Sequence, residues 1–118
     1  MGVVQLLLQT SADINANKAD EYGETPLYIA CKKNHGGVVR LLLAREDIQV
    51  NQANNRGWTP LYVVCRTPLY GASQTDNVDI VQLLLSRKEI LINQAPQDGE
   101  TPLAAACFYG NDDVVRLL

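Results

Sequence analysis

A phrase that recurs in register constrains this chain more than any single residue. Thr-Pro-Leu stands at Thr25-Pro26-Leu27, Thr59-Pro60-Leu61 and Thr101-Pro102-Leu103. Each copy has a Gly two residues before its Thr (Gly23, Gly57, Gly99), an Asn eight before (Asn17, Asn51, Asn93) and a Cys six after (Cys31, Cys65, Cys107). An apolar block follows each: Val38–Leu43, Ile80–Leu85 and Val114–Leu118, with a similar block at Val3–Leu8. Self-similarity at such spacing signals a stacked repeat architecture, in which each unit buries its apolar face against the next.

The parts of the phrase have local meanings. Thr before Pro starts a helix, because the hydroxyl caps free backbone N–H groups and Pro is tolerated at the first helical position. Leu27, Ala30 and Cys31 then share one face of a short first helix. Asn34-His35-Gly36-Gly37 and Gly110-Asn111 end such helices, since Asn and Gly accept the left-handed conformation. The apolar block is a second helix, and the glycine before each Thr marks a tight turn needing positive φ. The expected fold is all-α: stacked helix-turn-helix units joined by β-turn or hairpin loops.

The combination Gly-x-Thr-Pro-Leu-x-x-Ala/Val-Cys, then Val-Val-x-Leu-Leu-Leu, then Val-Asn, resembles the ankyrin repeat, a unit of about 33 residues with a Thr-Pro-Leu-His-x-Ala core. The resemblance covers essentially the whole chain. It implies one ankyrin-repeat domain over 1–118, with approximate units 1–19, 20–53, 54–95 and 96–118: two complete repeats between two partial ones, expected to belong to a longer array. Tyr28, Tyr62 and Ala104 stand where the family has a His that supports the neighbouring turn, which puts that support in doubt. Extra residues between the helices of the 54–95 unit, within Thr67–Asp76, read as a tolerated surface insertion, with Pro68 bending or ending the helix before it.

Chemistry finds little foothold. Cys31 and His35 have the i, i+4 spacing of metal ligands, but zinc needs four ligands or three plus water. Cysteines placed one per stacked repeat cannot converge. Each reads as a small buried hydrophobe, and His35 as a residue that helps end the first helix. Asp79, Asp112 and Asp113 read as acids at the starts of second helices, favoured there by the helix dipole. Ser11, Ser73 and Ser86 form no triad with His35, and no glycine-rich phosphate loop occurs. No catalytic, cofactor or metal site is expected.

The net charge of -3 and pI near 5.0 offer no basic footprint for nucleic acid. No polybasic run or long apolar stretch points to a membrane. An odd cysteine count and the lack of a signal-peptide pattern lead to the expectation of a cytosolic or nuclear setting.

The resemblance also implies where a partner protein binds: the turn tips and the concave face of the first helices. Carried over by position, the tips are Glu21, Tyr22 and Glu24; Asn55, Arg56 and Trp58; and Gln97, Asp98 and Glu100. The groove positions are Lys32 and Lys33; Arg66 and Thr67; and Phe108 and Tyr109. Trp, Tyr and Arg are frequent interface hot spots, and Trp58 stands where the other two units carry Glu. Its ring either awaits a partner or folds over a neighbouring turn. Glu21, Glu24, Asp98 and Glu100 at the turns, with Lys32, Lys33 and Arg66 in the groove, form a charge pattern that either orients a partner or simply solvates an exposed face. The functional expectation is a protein-interaction module, scaffold or adaptor. The alternative is a regulatory segment packing in cis within a larger enzyme or channel. End-to-end contacts through the terminal repeats are a further expectation of the resemblance. Asn17, Asn51 and Asn93 hold the position that asparaginyl hydroxylases modify in many ankyrin repeats, but the favoured reading is a turn-forming Asn with a satisfied side chain.

Overall fold

The computed structural model describes residues 15–66 and 73–118. Those residues form six helices: α1 Pro26–Lys32, α2 Gly36–Leu43, α3 Pro60–Arg66, α4 Ser73–Leu85, α5 Pro102–Phe108 and α6 Asp112–Leu117. No strand occurs among them. The odd-numbered helices stack on one another in one layer, α1 on α3 on α5. The even-numbered helices stack in a second layer, and each odd helix also packs on the even helix that follows it.

The helix starts obey the capping logic. Thr25, Thr59 and Thr101 each accept a hydrogen bond from the backbone N–H three residues on, at Tyr28, Tyr62 and Ala104, over 3.1–3.2 Å. Pro26, Pro60 and Pro102 then open the helices, where a missing N–H costs nothing. The stops fall at Asn34, with φ 64°, and Gly110, with φ 69°.

Two details correct the expected anatomy. His35 sits immediately before α2, and it ends α1 through its backbone N–H, donated to the Ala30 carbonyl over 2.8 Å, rather than through its side chain. A positive charge there would oppose the dipole, and the exposed ring makes no capping hydrogen bond. Its counterpart Asn111 is fully buried, and its side-chain amide donates to the Cys65 carbonyl over 2.8 Å, tying α6 to the end of α3. In addition, α4 has 13 residues against 8 in α2, because it begins at Ser73. Part of the inserted stretch is therefore helical, and Asp79 lies within α4 rather than at its start. Asp112 and Asp113 do occupy the first turn of α6. Thr67 and Pro68 lie outside the described residues.

The core runs between the layers as one cluster that includes Leu27, Tyr28, Val39, Leu42, Leu61, Tyr62, Val64, Ile80, Leu84, Ala105 and Val114. Polar side chains join successive repeats at both edges of this cluster. Asn17 donates to the Asp47 carbonyl (2.7 Å) and accepts from the Gln49 N–H (2.9 Å). One unit on, Asn51 donates to the Glu89 carbonyl (2.7 Å) and accepts from the Leu91 N–H (2.8 Å). The Arg87 guanidinium donates to the Leu43 carbonyl at the end of α2 (2.9 Å). Such bonds satisfy loop backbone groups that stacking alone would leave unpaired.

Candidate partner-binding surface

The turn preceding each odd-numbered helix is built from its own polar side chains. The Asp20 carboxylate accepts from the N–H groups of Tyr22 and Glu24, and the Asn54 amide oxygen accepts from those of Arg56 and Trp58. Backbone bonds from Asp20 to Glu24 and from Asn54 to Trp58 close both turns. The third turn has Pro96 at that position, which offers neither the side chain nor the N–H. Asp98 substitutes, accepting from the Glu100 N–H over 3.0 Å.

Successive turns are joined. The Asn55 N–H donates to the Tyr22 carbonyl (3.0 Å) and its side-chain amide to the Glu21 carbonyl (3.0 Å). Gly23 lies so close to this junction that a Cβ on it would stand 2.4 Å from Asn55 Oδ1 and 2.8 Å from the Asn55 backbone nitrogen.

The tyrosines at the family's His position reach the next turn themselves, so the support in doubt is retained by a different side chain. Tyr28 accepts through its hydroxyl from Asn54 Nδ2 at 3.1 Å, and Tyr62 donates to Glu100 Oε1 at 2.5 Å. Burial, reinforced by Glu24, pushes the Tyr28 phenol up to about 12, although Arg56 and Arg66 pull it down. Burial also raises Tyr62, with its bond to Glu100 as the second cause.

One geometric position carries three chemistries. The residue at the foot of each turn stands just before an odd-numbered helix, and the residue eight further on ends that helix. In the first unit they are Glu24 and Lys32, an ion pair at 3.2 Å. In the second they are Trp58 and Arg66, whose guanidinium carbon lies 4.5 Å from the ring centroid. In the third they are Glu100, turned to Tyr62, and Phe108, which is 76% exposed. Trp58 also packs on Tyr62, at 5.5 Å between ring centroids, and receives Arg56 at 5.5 Å. The ring is thus half-buried against its own repeat while its remaining surface faces outward.

A hollow of about 310 Å³ opens between the first two turns, lined by Tyr22, Glu24, Tyr28, Lys32, Asn54, Asn55, Arg56 and Trp58. Six of those eight were foreseen from sequence as contact positions. Tyr28 and Asn54 were not, although the His-to-Tyr replacement marked Tyr28. Arg66 joins through Trp58. Of the other foreseen positions, Glu21 is exposed and contributes its carbonyl to Asn55. Lys33 is exposed at the end of α1, outside the hollow. Gln97 and Asp98 are exposed on the third turn, away from the hollow. Phe108 and Tyr109 form an edge-on ring pair at 5.0 Å at the end of α5.

The cysteines divide. Cys31 and Cys65 are buried, and burial raises both thiols, that of Cys65 up to about 12. Cys107 is exposed, which corrects the expectation that all three fill buried slots. Its counterparts are covered by the repeat that follows each of them. In this folded 118-residue chain, a thiol reagent such as dithionitrobenzoate should label Cys107 quickly, and Cys31 and Cys65 only on unfolding. Rapid release from all three thiols would contradict this packing. No group of three His, Cys, Asp or Glu residues suited to a metal occurs among the described residues. No helix among them is long and apolar enough to cross a membrane.

Two-helix units stacked in two layers and joined through polar turns define a helical repeat solenoid. The family model for ankyrin repeats, in three copies, matches residues 1–67 and 64–118. The chain belongs to the ankyrin repeat family. It is similar to the crystal structure of an ankyrin repeat domain from Acinetobacter baumannii AYE, with 32% sequence identity and a TM-score of 0.83. That match covers 99% of this chain and 56% of the other, so the chain spans little more than half the length of that relative. No curated protein matches it. Ankyrin repeats are in general protein-interaction modules, a typically non-catalytic scaffold.

Proposed function

We propose that this chain binds a partner protein through the tips of its first two turns and the adjoining face of the odd-numbered helices, in a cytosolic or nuclear setting. The observation that carries the proposal is the hollow between those turns. Trp58, Tyr22 and Arg56, the residue types that anchor interfaces, gather around it with surface that their own repeats leave uncovered. The frame beneath is held by backbone-directed bonds, so the site is pre-organised and little ordering accompanies binding.

The test compares two baits, the wild-type chain and a Tyr22→Ala/Arg56→Ala/Trp58→Ala variant, each shown by circular dichroism to be folded and helical. Partners captured from lysate of the source cells are identified by mass spectrometry. A partner held by the wild type and lost by the folded variant supports recognition at the tips. Equal capture by both baits would rule the tips out.

A further inference from the structure

We infer that the hollow between the first two turns takes the carboxylate of an Asp or Glu side chain from the partner, with Arg56 as its principal ligand. This rests on the proposed protein-binding role and specifies the partner's chemistry at that site.

The charges around the hollow are unevenly matched. Lys32 is paired with Glu24 at 3.2 Å, which also neutralises the one carboxylate in the lining. Arg56 is exposed and makes no ion pair among the described residues. Its guanidinium is held 5.5 Å from the Trp58 ring centroid. A planar donor fork presented from an aromatic face suits a carboxylate and loses less freedom on binding than a free side chain would.

The uncharged groups favour the same ligand. The Tyr28 hydroxyl, in the buried floor of the hollow, accepts from Asn54 and donates to no described residue. The amide donors of Asn54 and Asn55 are engaged, on Tyr28 and on the Glu21 carbonyl respectively. Donors without acceptors therefore remain, which calls for an anion or strong acceptor. Tyr22, 63% exposed, and Trp58 supply apolar walls for the methylene stem of an acidic residue. Glu21 lies at the tip but does not line the hollow.

The test selects random phage-displayed peptides on the wild-type chain and follows binding of the selected peptides by the emission of Trp58, the only tryptophan. The expected result is peptides sharing one Asp or Glu that perturb this emission. Converting that residue to its amide, or Arg56→Gln in the protein, should each weaken binding by about tenfold or more. The two changes together should cost little beyond either alone. Arg56→Gln leaves the fold intact, because Arg56 serves its turn through a backbone N–H donated to Asn54 Oδ1.

Selected peptides without a shared acid, acidic peptides that leave Trp58 emission unchanged, or additive losses in the double change each overturn the inference. Recovery of no peptide also overturns it. If a natural partner is nonetheless lost by the tip variant, only the carboxylate assignment fails. If neither peptide nor partner depends on the tips, the proposed binding role fails as well.

Discussion

Gly23→Ala is expected to destabilise the chain by about 2–5 kcal/mol, from positive-φ strain together with overpacking. The backbone at Gly23 has φ 77°, a conformation that disfavours any Cβ. The added methyl would also meet Asn55 at 2.4 Å and 2.8 Å, and the second of those contacts is to backbone. Relief requires parting the bond between Asn55 and the Tyr22 carbonyl. Gly99 separates the two causes. It has a similar φ of 79° but nothing within 4 Å of the position its Cβ would take. Gly99→Ala should therefore cost only the conformational strain, about 1–2 kcal/mol. Urea denaturation of both variants measures the difference, and equal losses would show that the close approach at Gly23 is unimportant.

Asn51→Ala should cost about 1–2 kcal/mol, because it removes two hydrogen bonds that tie successive repeats together. The partners are the Glu89 carbonyl and the Leu91 N–H. Leu91 is 54% exposed, yet its amide is bonded. Hydrogen exchange should find that amide protected in the wild type and fast in Asn51→Ala. Asn93 occupies the same repeat position but is exposed and makes no hydrogen bond among the described residues. Its replacement by Ala should change stability by no more than about 0.5 kcal/mol, as at an ordinary surface site. If Asn93→Ala proved as costly as Asn51→Ala, the side-chain bridge would not be the source of the effect.

Much of this is legible in the sequence. Thr-Pro at a helix start has one mechanical meaning, so the odd-numbered helices begin where the phrase says. The turn glycines likewise adopt positive φ as expected. Features that depend on two distant positions were harder to read. The Tyr28–Asn54 and Tyr62–Glu100 bonds span 26 and 38 residues, and the family pattern suggested loss of support where tyrosine in fact supplies it. The start of α4 was hidden because the added residues can either loop out or extend a helix, and Ser73 carries no decisive signal. Cys107 repeats the positions of Cys31 and Cys65 in sequence, but burial is decided by what stacks on a residue. At the candidate site, residue types pointed to Trp58 and Arg56. The hollow itself depends on how two turns meet, which no single repeat encodes.

The position shared by Glu24, Trp58 and Glu100 has a broader consequence. A salt link, a cation on an indole, and a glutamate turned to the tyrosine of the preceding repeat occupy the same place, while the threonine caps beneath keep their form. Folding and recognition therefore share residues to a different degree in each unit. A mutation at Glu24, whose ion pair with Lys32 stays within its own unit, can change which molecules the surface accepts without asking the scaffold to repack, whereas Trp58 and Glu100 are also tied to Tyr62. The array can acquire a new partner one turn at a time.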